Sequence, residues 1–259
     1  MILRRLSQSL KEQNWTAIVI EFVLLVSGVF LGIQVSNWNA ERETRQKSEI
    51  FSARLRADLQ VEAWAYQYLI EYQTDTLTNA RRALDALDGS KPLSDEQLVI
   101  AAYRATQYES QDRHRATYDE LVSTGTIGLI TDQRMRETAM MVYATTGIDQ
   151  TFDEGQHSQY RMIFRQTLPA AVQQALLQRC GDKIIDLLDY SGIVHSLDYP
   201  CTLGLPEATI RAAAEALRKR EGLVPALQLR FADIGTSLVN LRDTNPAMVN
   251  GLRSYEVRK

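Results

Sequence analysis

The stretch "VIEFVLLVSGVFLGIQV", Val19 to Val35, decides how the rest of the chain is read, because it is apolar enough to sit in lipid and yet contains a glutamate. Extended to its flanking indoles it runs from Trp15 to Trp38, 24 residues. As a helix these cover about 35 Å, the hydrocarbon core plus both interfaces. Trp15 and Trp38 stand where an aromatic belt would place them, ring buried and N–H wet. Thirteen Ile, Val, Leu and Phe residues lie between them. Each favours insertion by roughly 0.3–0.6 kcal/mol, whereas a central acidic residue opposes it by about 2.5–3.5 kcal/mol, so insertion wins. Glu21 lies only six residues inside Trp15 and so is off-centre by depth, which lowers that cost.

At about 100° per residue, Ala17, Glu21, Leu24, Leu25, Gly28, Gly32 and Val35 share one arc of the helix, and Gly28 and Gly32 form a G-x-x-x-G seam. Small residues four apart let another backbone approach closely, and Glu21 on the same stripe would then face protein. Glu21, Gly28 and Gly32 are therefore the candidate transmembrane interface, with a second copy or another protein's helix as partner. The alternative is a chance glycine pair beside a glutamate that is protonated or reaches the headgroups.

Residues 1–14, "MILRRLSQSLKEQN", separate Ile2, Leu3, Leu6 and Leu10 from Arg4, Arg5 and Lys11, the pattern of a short interfacial helix. Arg4, Arg5 and Lys11 before the span balance Arg42, Arg45 and Lys47 after it, so positive charge does not set orientation. Long hydrophilic domains translocate largely regardless of charge, which favours a cytoplasmic N-terminus and a periplasmic body over residues 39–259. "VSNWNAERE" has no small-x-small cleavage pattern, so the span is expected to stay as an anchor. The two cysteines, Cys180 and Cys201, could pair in an oxidising compartment or remain buried thiols, and their separation resembles no metal-ligand spacing.

With 29 Lys and Arg against 32 Asp and Glu, nothing implies a basic surface for nucleic acid. The body is rich in Ala, Leu, Gln, Arg and Glu, which predicts an all-α fold. No Pro or Gly follows the span until Gly89, so the membrane helix is expected to continue into a helical bundle. Its apolar stripe takes in Phe51, Leu55, Leu59, Ala63, Tyr66, Ile70, Leu77, Ala80, Leu84 and Leu87, with Gln73 as the break. Ser94 and Gln97 make a capping box, with Leu93 and Leu98 placed for a hydrophobic staple. Gly125 and Gly128 punctuate the next region, and Thr131 or Asp132 should cap a long helix that Pro169 kinks or ends. Shorter helices are expected over 170–180 and 182–190. A loop carrying Cys201 follows, then helices near 206–220 and from Pro225 to Arg242, and a last one ending near Val257.

The lettering "LRR" near the start, "KEQNW", "EFVLLVSGVFLGIQVSNWN" and "TYDELVSTGTIGLITDQRMRE" resembles an uncharacterised bacterial family of N-terminally membrane-anchored helical proteins, a domain of unknown function. That resemblance covers the first two-thirds of the chain. It implies the anchored helical architecture and brings no catalytic residues with it.

Chemistry is sparse. His114, His157 and His195 are far apart, and Glu154 and His157 have the E-x-x-H spacing of carboxylate-bridged metal sites without the second copy such sites need. No G-x-S-x-G elbow or phosphate-cradling G-x-x-x-x-G-K-[ST] occurs. No catalytic, cofactor or metal residue is therefore assigned. The reading is a non-catalytic anchored interaction or scaffold protein, an accessory subunit of an inner-membrane assembly whose partners are lipid and other transmembrane helices. The alternatives are a ligand-sensing ectodomain acting through a partner and, third, an enzyme.

Overall fold

The computed structural model describes residues 15–110 and 112–257, and they are helical without a strand. The interfacial helix expected over residues 1–14 lies outside the described residues. Helix α1 runs Trp15–Leu87, 73 residues without interruption. The chain divides into two compact units in sequence, one ending at Ala53 and the other beginning at Arg54.

In the first unit nothing between Trp15 and Trp38 is buried. Residues 39–53 continue the helix as a polar, largely exposed rod, with Glu43 paired to Lys47 one turn on at 2.7 Å.

In the second unit α1 is a central helix. Its buried residues are not one stripe: Glu62, Ala63 and Trp64 are all buried, as are Tyr68 with Leu69, Tyr72 with Gln73, and Asp75 with Thr76. Consecutive residues point about 100° apart, so neighbours must cover more than half of the circumference. Ile70, Leu77 and Leu84, members of the expected stripe, are only half-buried.

Around it sit α2 (Asp95–Arg104) and α3 (Ala116–Ser123). Then come α4 (Gln133–Ala144), α5 (Gly147–Gln156), α6 (Gln159–Thr167) and α7 (Ala170–Cys180). The chain closes with α8 (Glu207–Lys219), α9 (Leu223–Asp243) and α10 (Pro246–Arg253). Helix α2 packs on α8, α9 on α5 and α6, and α10 on α4. The main core joins Ala80 and Ala83 of α1 to Leu98, Ala102, Phe164 and Leu227.

Local signals explain the boundaries. Ser94 caps α2, its side chain accepting from Gln97 N while Gln97 reaches back to the cap backbone, as the capping box predicts. Helix α3 ends in a Schellman motif: Gly125 has φ +68, Gly125 N bonds Val122 O, and Thr126 N bonds Leu121 O. Asp132 caps α4 through Met135 N.

Three expectations are corrected. The long helix from 131 to 169 is instead α4, α5 and α6, because the backbone turns extended at Thr145, Ser158 opens a new helix by accepting from Arg161 N, and Leu168 is extended before Pro169. No helix forms over 182–190. Leu188 is left-handed at φ +66, and the Asp189 carboxylate takes the backbone N–H of Ser191 and of Gly192, which competes with helical bonding. The last helix stops at Arg253, short of Val257.

Candidate functional site

Two features stand apart from ordinary bundle packing: an apolar helix segment with nothing packed against it among the described residues, and a loop closed by a disulfide. In the first, Phe22 and Leu24 are each 67% exposed. A Cβ added at Gly28 or Gly32 would meet nothing within 4 Å. Glu21 is exposed on the same segment, and Trp15 and Trp38 are exposed at its two ends. Glu21, Gly28 and Gly32 thus have no packed neighbour among the described residues. The segment's capacity is physical: as side chains in water its aliphatic and aromatic surface is unfavourable at about 25 cal/mol per Å², and lipid or a partner helix removes that penalty.

The loop begins where α7 ends. Cys180, fully buried, is bonded to Cys201, with Cα atoms 5.5 Å apart, closing residues 181–200 into a ring. Ile193 and Leu197 pack the ring onto a ladder of Trp64, Tyr68 and Tyr72 on α1. The ladder's ring centroids are 5.4 and 6.0 Å apart, within the range where tilted and edge-on aromatic pairs attract. Spacing of four residues puts these three rings on one helix face.

Charge fastens the same loop. Asp198 N donates to the buried Asp75 carboxylate at 3.1 Å, and the Asp198 carboxylate accepts from Arg82 at 2.9 Å and from the buried Arg104 at 3.1 Å. Arg104 also donates to Tyr199 O at 2.6 Å and lies 3.4 Å from the Cys201 Sγ. His195 Nδ1 is 3.6 Å from Asp75. Asp75, His195 and Asp198 thus bring three ligand-type atoms within 4.8 Å of one another. Their chemistry fits a clasp better than a metal site, because two guanidinium charges already sit on Asp198 and would repel a cation.

At the loop's start, Tyr72 donates from its hydroxyl to Asp182 at 2.8 Å. Burial raises the Asp182 carboxyl above its ordinary range, against the opposing pull of the Tyr72 hydrogen bond and the charges of Arg161 and Arg104. Burial, then the Asp182 charge, holds Tyr72 well above the usual phenol range.

A cavity of ≈ 230 Å³ lies between α1, α5 and the residues Glu109, Ser110, Asp112 and Arg113. Glu62, Tyr66, Asp149 and Phe152 are on its wall. Glu62 is 3% exposed and accepts from Arg113 Nε at 2.9 Å and from His114 N at 2.7 Å. The E-x-x-H pair does not form a site: Glu154 accepts from Ser237 at 3.0 Å, while His157 faces Asp153 at 3.0 Å on the exposed side of α5.

The sequence reading missed Glu62, Asp75 and Asp182 because a lone carboxylate carries no spacing signal. The i, i+4, i+8 row of Trp64, Tyr68 and Tyr72 was a signal that could have marked the loop's seat. No protein-family model, no curated protein and no solved structure matches the chain.

Proposed function

We propose that this chain is a single-pass membrane-anchored interaction protein, an accessory or scaffold subunit held in the bacterial inner membrane with its N-terminus cytoplasmic and its helical body periplasmic. One observation carries the reading: Trp15–Trp38 buries none of its residues, while each of the longer helices of the body places apolar residues in a core. A helix apolar on every side is at rest only where its surroundings are apolar too. The Cys180–Cys201 bond supports an oxidising location for the body. The open seam at Gly28 and Gly32, with Glu21 on the same arc, supports a second helix along the anchor.

The test is extraction of native membranes in mild detergent followed by identification of co-purifying proteins, with Gly28→Ile plus Gly32→Ile as the control. Recovery of defined partners that the double variant loses is expected. A lone monomer from both, or partner recovery untouched by the isoleucines, overturns the seam.

A second reading is ligand sensing, favoured by the cavity beside Glu62 because its wall belongs to α1, the helix that continues into the apolar segment. A ligand-dependent rise in the body's melting temperature would support it.

A further inference from the structure

Between α1, α5, α9 and α10 lies another pocket, of ≈ 470 Å³, within the roughly 300–1,000 Å³ of small-molecule sites. Part of its wall is apolar and deep: Leu241 and Met248 are 4% and 2% exposed, and Tyr66 commits its hydroxyl to Leu241 O. The rest is polar and open to a partner. Thr146 stands at the cap position of α5 but makes no side-chain cap bond, and the Gln150 amide one turn on has no partner among the described residues. On the α9 and α10 side, the amide oxygens of Asn240 and Asn245 accept from the Thr244 hydroxyl and from Met248 N. Their amide N–H groups stay available among the described residues.

Charge narrows what could sit there. Among the described residues no lysine, arginine or histidine lines the wall, and Glu154 is its carboxylate. One Glu154 oxygen accepts from Ser237 at 3.0 Å. The buried Arg230, lowered to about 10 chiefly by its burial, feels the charges of Asp233 and then of Glu154. That guanidinium offsets the carboxylate and weakens any pull on a cation. An anion would meet Glu154 with no cation lining the pocket to hold it. What the wall offers instead is amides, a hydroxyl and a second Glu154 oxygen, a mixture of donors and acceptors. Hydroxyl groups, which both donate and accept, match that mixture, whereas a hydrophobe would leave it unpaired.

We infer that this pocket binds a neutral polyhydroxylated small molecule of the saccharide class, its hydroxyls on Gln150, Glu154, Asn240 and Asn245 and its carbon face on Leu241 and Met248. The inference goes beyond the interaction-protein reading and stands without it.

The test is equilibrium dialysis of the full chain in phosphatidylcholine nanodiscs, with empty discs as blank. The radiolabelled probes are methyl glucoside and methyl galactoside, with glucosamine and glucuronate as charged counterparts, at about pH 6, where the amine is protonated and the uronate ionised. Saturable binding of at least one neutral glycoside is expected, about fivefold or more tighter than either charged sugar. Gln150→Leu plus Asn240→Leu should weaken it about tenfold. Both side chains are exposed, so unchanged melting is expected of that pair. If the variant does misfold, the wild-type preference among the four sugars still decides. No saturable binding above empty discs, equal binding of all four, preference for a charged sugar, or glycoside binding that survives the two leucines in a folded chain overturns the inference.

Discussion

Helix α1 is one element with two opposite solutions to burial. Between Trp15 and Trp38 its leucines, valines and phenylalanines are exposed, whereas between Leu55 and Ala83 it buries Glu62, Gln73, Asp75, Thr76 and Asn79. The backbone hydrogen bonding is the same in both, so the difference lies in what each side chain meets. Exposed apolar surface asks for lipid or another helix. Buried polar groups ask for partners, and α1 finds most of them: Glu62 with Arg113, Asp75 with Asp198 N, Thr76 with Tyr72 O, Asn79 with Asp75 O. Helical propensity therefore set the element, and environment set the role of each half.

The largest expected effect breaks the first half. Leu24→Arg with Leu25→Arg places two cations near the middle of the apolar stretch, each opposing insertion by about 2.5–3.5 kcal/mol. The variant should move from the carbonate-resistant membrane pellet to the supernatant, read by immunoblot of the two fractions. Full retention in the pellet would show that this half does not anchor the chain.

A glutamate pair on the same helix sharpens the contrast. Glu62→Ala leaves Arg113 14% exposed with no carboxylate, and breaking such a pair costs about 3–5 kcal/mol. Glu43→Ala removes an ion pair whose side chains are 66% and 56% exposed, and should not change stability measurably. Urea unfolding of both variants measures the difference. Equal midpoints would mean that burial does not distinguish the packed half of α1 from its exposed polar rod over residues 39–53.

The helical class, the continuity of α1, the capping box at Ser94 and the glycine stop at Gly125 were legible because each rests on local chemistry within a few residues. The breaks inside 131–169 were less so, since Ser158 as a cap competes with a helical pattern that runs through it. The loop over 182–190 was illegible for a different reason. "DKIIDLLDY" has helical spacing, and what prevents a helix is distant: Lys183 N bonds Ser196 O, and Asp182 meets Tyr72 of α1. The apolar stripe on α1 was only partly right, because a central helix is covered on several sides and its polar residues are buried by partners remote in sequence. The glycine pair at Gly28 and Gly32 could be read directly, but nothing among the described residues packs on it.

The smallest effect concerns the polar contact that joins the buried half of α1 to the loop. Asp182 is raised from its ordinary value of 3.8 chiefly by burial. A carboxyl raised in the folded state binds its proton more tightly folded than unfolded, so its contribution to stability is greatest at acid pH and falls as pH rises from 3.8 through the raised value. Asp182→Asn keeps an oxygen to accept from Tyr72 and removes the titration. The stability difference, variant minus wild type, should therefore climb across that acid window and level off above it, measured by urea unfolding at a series of pH values. Because both chains carry every other titrating group, those contributions cancel in the difference. A flat difference would mean that the Tyr72 hydrogen bond and the charges of Arg161 and Arg104 balance burial, and one that falls with pH that they outweigh it and that the ionised carboxylate is the form this part of the core was built around.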